Sequence, residues 1–297
     1  MPELPEVENL RLGLERKIVG QKVKSVKVLA PKLVAGAGNI RAPSRAKTAE
    51  FISGITGKVI EGIERRAKNL IFRFKGGGLL LVHLKMSGQF VYREGKKTVE
   101  GGHPIELSRS GLPNKHTHII FELSRGTLYY NDIRTFGYLL YFKNQNSFDK
   151  TRHFKYIGPE PLSKEFTREY FAGALRNKKS KLKSVLLGQS AVAGLGNIYA
   201  DEVCFEAGVR PTRAASSLSA GEAGRLYSAI KRILKRAIET GGSSVATYML
   251  LDESRGNYAR EHKVYGRGGE ECANCGKKLK NITLGGRTTV FCVSCQK

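Results

Sequence analysis

The chain has 297 residues, 40% of them hydrophobic, which is long enough for about two domains that each bury a core. No apolar run approaches the ~20 residues needed to cross a bilayer, and five cysteines are too few for a disulfide scaffold of this size. Lys and Arg number 51 against 26 Asp and Glu, a net charge of +25 that suits a polyanion such as nucleic acid, although a ribosomal or membrane surface, or simple solubility, would also fit.

The chain opens MPELPEVE. A small residue after the initiator methionine normally permits its removal, which would leave Pro2 with a secondary amine at the N-terminus. A free α-amino group has a reference pKa of about 7.7–8.0, so part of it is nucleophilic at neutral pH. Glu3 lies beside it as a proton donor, and an amine next to a carboxyl group is suited to covalent chemistry at a carbon bearing a leaving group. The competing reading is that Pro2 and Pro5 only lead into a helix. Val7, Leu10, Leu14 and Ile18 form the apolar stripe of that helix, and Gly20 is a suitable stop. Its acidic start has no signal-peptide core, which places the expected location in the cytoplasm.

From Lys22 to Phe142 the pattern changes to short runs rich in Val, Ile, Leu, Phe and Tyr: KVKSVKVL, KVIEGIERR, LIFRFK, LLLVHLK, HTHIIFEL, TLYYND and GYLLYF. Turn signals such as Gly76-Gly77-Gly78 and Ser124-Arg125-Gly126 separate them, predicting an antiparallel sandwich or barrel. The polar stretch from Arg93 to Lys115 reads as a mobile loop.

Between Lys143 and Gly158 the period changes again. KEFTREYFAGALRN, KLKSVLLGQ and GNIYADEVCFEAG read as helices. A further helix spans Ser219 to Thr240, with Leu226, Ile230, Ile233, Leu234 and Ile238 on one stripe, a capping box at Ser219 and Glu222, and Gly241-Gly242 at its end. Cys204 lies in an apolar stretch and reads as a buried small hydrophobe. The tail from about Val264 is a separate Gly- and Cys-rich unit, and no internal repeat is evident.

Three features carry further chemistry. Cys272-x2-Cys275-x16-Cys292-x2-Cys295 can deliver four thiolates to one zinc ion; four ligands close the shell, so such a zinc is structural. A redox role for the CxxC pairs is the alternative. Their insert reads as two strands turning at Gly285-Gly286 and presenting Arg287. GLGNIYADE sets glycines before a helix whose N–H groups, with Asn197, can hold a phosphate. Lys178, Lys179, Lys181 and Lys183 line a basic segment just upstream, which is otherwise a solvated helix face. HLKMSG and NDIRTFG each follow a strand and end in glycine, bringing Met86, Arg134 and Phe136 to loop tips. Proteins that extract a base from a duplex need such groups to fill the gap. Core packing is the alternative, and it suits Arg134 poorly because a buried unpaired arginine is costly.

PELPEVE, RRAK at Arg65 to Lys68, HLKMSG, KHTH at Lys115 to His118, IRTFG, GLGNIYADE and the tail GGRTTVFCVSCQK occur in this order along the whole chain. Together they resemble the bacterial formamidopyrimidine-DNA glycosylases. The resemblance implies an α+β multidomain fold: an N-terminal antiparallel β-sandwich catalytic domain with an N-terminal helix (1–143), a helix-two-turns-helix DNA-binding domain (144–262) and a C-terminal four-cysteine zinc finger built on a β-hairpin (263–297). It implies excision of oxidised purines from duplex DNA, chiefly 8-oxoguanine and formamidopyrimidines, followed by abasic-site lyase cleavage. On this chain Pro2 would attack C1′ and form a Schiff base, with Glu3 as proton donor for sugar-ring opening. Lys68 would serve β-elimination and Arg287 δ-elimination. A guanidinium is a poor acid at neutral pH, so Arg287 reads mainly as a clamp on phosphate. His116, Arg134 and Lys178 match DNA-contacting positions, and Asn197 the phosphate-holding asparagine. Met86, Arg134 and Phe136 match the inserted trio. One structural zinc per chain and a monomer are expected.

The chain departs from the pattern at Lys85, where glycine or arginine is common, and in DIRTFG, with Ile133 for proline and Thr135 for a second arginine. Thr247 to Lys263 corresponds to the lesion-covering loop. Two other readings remain: an endonuclease VIII-like enzyme preferring oxidised pyrimidines, against which PELPE in place of PEGPE argues, and a non-catalytic zinc-dependent binder of damaged nucleic acid.

Overall fold

The computed structural model describes residues 1–38, 41–95, 97–102, 111–243 and 256–297. The chain forms two compact units, Met1–His153 with Gly241–Gly256, and Phe154–Thr240 with Asn257–Lys297.

The first unit opens with α1 (Leu4–Ile18), which has Pro5 in its first turn. Val7, Leu10, Leu14 and Ile18 are all buried as their spacing predicts, each burial contributing about 1.5–3 kcal/mol. Two antiparallel sheets follow. The first has the order β1 (Val23–Val28), β7 (Thr117–Leu123), β8 (Thr127–Asp132), β5 (Gly88–Glu94), β6 (Lys97–Gly102); the second is β2 (Ile60–Arg66), β3 (Asn69–Phe74), β4 (Leu79–His83), β9 (Tyr138–Phe142). Phe72, Phe74, Leu80 and Val82 from one sheet share a core with Phe90, Tyr92, Phe121 and Tyr130 from the other. The rings of Phe72 and Phe90 meet across it at 5.8 Å. This is a β-sandwich, with α1 sharing its core.

Two expectations need correction here. Arg93 to Lys115 is not one loop: Arg93 and Glu94 end β5, which pairs with β6 from Gln89↔Gly102 to Glu94↔Lys97. The strand is hidden in sequence because KTVEGG has one apolar side chain. The run of strands is also interrupted by a helix, α2 (Arg45–Ile55), capped by Ser44 Oγ accepting from Lys47 N–H. It buries only Phe51 and Ile55, too few to produce a readable stripe. A short α3 (Gln145–Lys150) closes this part of the chain.

The second unit contains α4 (Arg168–Arg176), α5 (Leu182–Leu187), α6 (Asn197–Glu206) and α7 (Ala220–Glu239). Ser219 and Glu222 form the predicted capping box of α7. Leu226, Ile230, Ile233 and Leu234 are buried, whereas Ile238 is half-buried. Cys204 is fully buried, and burial pushes its thiol well above the ordinary range, as expected of a packing residue. The chain ends in the hairpin β10 (Lys280–Leu284) and β11 (Arg287–Phe291), paired Leu284↔Arg287. Gly285 and Gly286 both have positive φ, at 57° and 72°, which a two-residue hairpin turn of this kind requires. Among the described residues, no helix is long and apolar enough to cross a membrane.

Candidate active site and nucleic-acid interface

Pro2 is buried just before α1, and Glu3 is the N-cap residue, 2% exposed. The N–H of Glu3 donates to Glu6 Oε2 at 2.9 Å, and Glu6 Oε1 accepts the N–H of Ser243 at 2.7 Å. A Cβ on Gly242 would fall 2.7 Å from that oxygen, so the Gly242-Ser243 backbone lies directly on the carboxylate. Glu6 was not singled out in the sequence; its position three residues after a capping acid was the available signal.

Lys68, 6% exposed, lies in the tight link between β2 and β3, where Ala67 takes a φ of +53°. Arg65 holds this link. Its Nη1 donates to Ala67 O at 3.0 Å and its Nε to Glu8 Oε2 at 2.6 Å, so the turn is tied to the second turn of α1. Glu8 also receives Arg11 at 2.8 Å. Burial works against its charge, but the two guanidiniums outweigh it and hold the carboxyl below its ordinary value. The spacing of RRAK thus has a local cause: Arg65 shapes the bend that carries Lys68.

His83 pairs with Asn69 across β3 and β4 and accepts the N–H of Lys85 on Nδ1 at 3.0 Å. Desolvation, then the charges of Lys85, Lys68 and His153, lower its pKa to about 3. This region is accordingly rich in positive charge, and burial followed by Arg41 lowers the Lys85 ammonium as well. Lys85 adopts a left-handed φ of +52°, with its ammonium 5.7 Å from the ring centre of Tyr138.

Met86, from the link between β4 and β5, meets Arg134 and Phe136, from the link between β8 and β9. Arg134 Nη1 lies 3.1 Å from Met86 Sδ, and the guanidinium sits 4.7 Å from the centre of the Phe136 ring. Met86 is 44% and Phe136 38% exposed, so core packing does not account for them. Ile133 and Thr135, which replace the usual residues of this loop, leave it firmly held. Arg41 donates to Thr135 O at 2.9 Å and Gly137 O at 2.7 Å, and Lys32 to Thr135 Oγ1 at 2.9 Å. His116 adjoins the same loop, its carbonyl accepting the N–H of Asp132 at 2.9 Å. Partial desolvation, with Lys115 and His118 nearby, lowers its pKa.

In the second unit Asn197 is the first residue of α6. Its Nδ2 donates to Thr288 O at 3.1 Å, while its Oδ1 has no hydrogen-bond partner among the described residues. Gln189 braces the preceding glycine loop, accepting from Gly194 N–H at 2.7 Å and donating to Leu195 O at 2.6 Å. Arg287 is exposed at the start of β11, next in sequence to the residue that Asn197 grips. Lys178 is exposed between α4 and α5, its carbonyl accepting from Ser216 N–H at 2.9 Å. Lys183 does not join that basic line: it is fully buried, 2.7 Å from an equally buried Asp201.

The sulfurs of Cys272, Cys275, Cys292 and Cys295 lie within 4.8 Å of one another and could hold a metal ion. The pairs Cys272–Cys295 and Cys275–Cys292 stand at 3.9 and 3.5 Å. Four sulfurs at 2.3 Å from a tetrahedral zinc would be about 3.8 Å apart, so the donor set and its size fit that ion. Glu202 fixes the approach to this cluster, accepting the N–H groups of Lys263, Val264 and Tyr265 at 2.8–3.1 Å. Of the lesion-covering segment 247–263, residues 247–255 lie outside those described.

A β-sandwich unit with a buried amino-terminal helix start, and a helical unit ending in a four-cysteine hairpin, is the plan of the DNA glycosylases that carry a helix-two-turns-helix domain. Residues 1–139 match the formamidopyrimidine-DNA glycosylase N-terminal domain and residues 157–249 the H2TH domain of the same proteins. The chain belongs to the formamidopyrimidine-DNA glycosylase family. It is 41% identical to the formamidopyrimidine-DNA glycosylase of Listeria monocytogenes serotype 4b and 37% identical to that of Desulfitobacterium hafniense, each alignment covering 100% of both chains. Among solved structures it is similar to Lactococcus lactis Fpg in complex with abasic-site DNA (TM-score 0.86, 35% identity, 99% of each chain). It is also similar to MutM bound to DNA containing carbocyclic 8-oxo-G (TM-score 0.85, 36% identity, 100% of each chain).

Proposed function

We propose that this chain is a bifunctional DNA glycosylase and abasic-site lyase of base excision repair, acting on oxidised purines in duplex DNA. The observation that carries the reading is the convergence of Met86, Arg134 and Phe136 into one exposed cluster. A cluster of two apolar groups and a guanidinium is suited to occupying the space left by an extruded base. The net charge of +25 supports binding through phosphates.

Pro2, freed of Met1, attacks C1′; the new N–C1′ bond replaces the bond to the base, which departs with a proton. The resulting aminal at C1′ then opens: Glu3 delivers a proton to the ring oxygen as the C1′–O4′ bond breaks, and the Pro2 nitrogen lone pair forms the C1′=N bond of the Schiff base. Lys68 assists β-elimination of the 3′ phosphate, and Arg287 clamps the 5′ phosphate during δ-elimination. His116, Arg134 and Lys178 contact the DNA, and Asn197 holds a phosphate. The four cysteines hold one structural zinc ion, which fixes the hairpin that presents Arg287. The modules run 1–143, 144–262 and 263–297, and the protein works as a cytoplasmic monomer on the nucleoid.

Borohydride trapping tests this. Processed protein should form a covalent adduct with a duplex containing 8-oxoguanine, and Pro2→Gly or retention of Met1 should abolish it while DNA binding persists. Clear preference for a thymine glycol duplex would assign the endonuclease VIII-like activity instead. Binding without any adduct would leave only a damage-binding role.

A further inference from the structure

We propose that Asp132 is a positioning residue that locks Met86, Arg134 and Phe136 into a preformed wedge, so that the wedge enters the duplex already ordered. The inference rests on the proposed gap-filling role of these three side chains.

Asp132 is fully buried. Its Oδ1 accepts the hydroxyl of Ser87 and the N–H of Arg134 at 3.1 Å. Its Oδ2 accepts the N–H of Gly137 at 2.7 Å. Ser87 Oγ accepts the same Arg134 N–H at 3.1 Å. Ser87 follows Met86 in the link between β4 and β5, and Arg134 and Gly137 bracket Phe136. One carboxylate, itself fully buried, therefore fastens both loops from below through three hydrogen bonds.

Tyr130 completes the brace. Its hydroxyl is buried with no hydrogen-bond partner among the described residues, and burial followed by the charge of Asp132 keeps it protonated. A Cβ on Gly137 would stand 1.8 Å from this oxygen, and one on Gly88 2.7 Å from it. The glycines that end HLKMSG and DIRTFG are thus both shaped around a single hydroxyl, which brings the two loops together over Asp132.

An exposed cluster of Met and Phe gains little from solvent, so its geometry depends on this support. A loosened wedge must be ordered again each time it replaces a base, which weakens the step before chemistry. Attack at an abasic site in single-stranded DNA has no stacked base to displace and does not need the wedge.

The test compares Asp132→Asn and Ser87→Ala with the unmodified protein, in full-length, metal-loaded, Met1-processed form. Single-turnover excision is measured on an 8-oxoguanine duplex, and borohydride trapping on a single-stranded abasic oligonucleotide. Asp132→Asn should slow duplex excision about tenfold or more and Ser87→Ala about threefold, with single-strand trapping within about twofold of the unmodified protein. Ser87→Ala removes one hydroxyl and carries the test if Asp132→Asn does not fold. Equal loss on both substrates, or no loss on the duplex, would overturn the proposal. Unmodified protein that neither excises nor traps would instead overturn the enzymatic reading, so the two failures are distinct.

Discussion

The ammonium of Lys183 lies 2.7 Å from Oδ1 of Asp201, and neither side chain touches solvent. Lys183 also donates to Thr288 O at 2.8 Å and Thr289 Oγ1 at 2.9 Å, while Asp201 Oδ2 accepts Val290 N–H at 3.1 Å. Three successive residues of β11 beside Arg287 are therefore held by one internal ion pair. Burial raises the Asp201 carboxyl to about 6 despite Lys183, a sign of how costly an unpaired charge would be at this place. Asp201→Asn or Lys183→Met should each destabilise the second unit by roughly 3–5 kcal/mol, and the Lys183→Met/Asp201→Asn pair by clearly less than their sum. Thermal melting of the three variants checks this; strict additivity would show that the pair is not coupled.

Arg65 links α1 to the bend carrying Lys68 through Glu8 and Ala67 O. Arg65→Lys keeps the charge but loses the planar fork by which the guanidinium reaches Glu8 and Ala67 O on separate nitrogens. If Lys68 serves elimination and Pro2 serves attack, strand cleavage at an abasic site should fall about tenfold while borohydride trapping changes less than about twofold. A parallel loss of both would mean that Arg65 supports the start of α1 and not the Lys68 bend.

Gly137 has no room for a side chain, because its Cβ would overlap the Tyr130 hydroxyl at 1.8 Å. Gly137→Ala should lower the melting temperature by several degrees, as expected for overpacking of about 1–3 kcal/mol. Tyr130→Phe removes the obstructing oxygen, and adding it should recover much of the loss. If the double variant were no more stable than Gly137→Ala, the remaining contacts at Tyr130 Cζ and Asp132 Oδ2, 3.1 and 3.0 Å away, would be the dominant obstacle.

The cysteine spacing, the stripes of α1 and α7, seven strands of the sandwich and the two strands of the C-terminal hairpin are readable because local periodicity and burial agree there. The strand β6 and helix α2 are not, since KTVEGG and RAKTAEFISGI each place few apolar groups on their buried faces. The site divides in the same way. Residues that project outward, such as Met86, Arg134 and Arg287, stand out by type and motif. The groups that brace the site from within, Asp132 through Ser87, Glu6 through Ser243 and the Lys183–Asp201 pair through β11, depend on partners far along the chain. Lys183 illustrates the limit: in sequence it is one of four nearby lysines, and only burial against Asp201 separates it from its solvent-facing neighbours.

The four-sulfur cluster ties the C-terminal hairpin together with Cys272, Leu279, Val290 and Cys292 in a small core. So small a core is expected to need a bound metal to persist. Metal analysis should find one zinc ion per chain. Chelation, or Cys275→Ala, should lower the melting temperature and weaken duplex binding at least about tenfold, with zinc restoring the chelated protein. Unchanged binding after verified metal loss would remove the hairpin from the interface.

Acid should destabilise the protein in two windows with different owners. Arg213 grips both oxygens of Glu222, and Ser219 N–H donates to the same carboxylate at 2.8 Å. These contacts, led by Arg213 and opposed by burial, lower its pKa from 4.5 to about 2. The unfolded chain takes up this proton first, so the stability from Glu222 is complete above pH 4.5 and is lost as pH falls toward 2. His83 is a base kept neutral, its pKa lowered from 6.5 to about 3 by desolvation and by Lys85, Lys68 and His153. The unfolded chain again protonates first, so stability declines as pH falls from 6.5 toward 3. Hydrogen exchange across this range should show the first unit loosening at higher pH than the start of α7. His83→Asn should flatten the upper window alone and Arg213→Met the lower one. If either variant flattened both windows, or neither, these two groups would not be the ones that set the acid response.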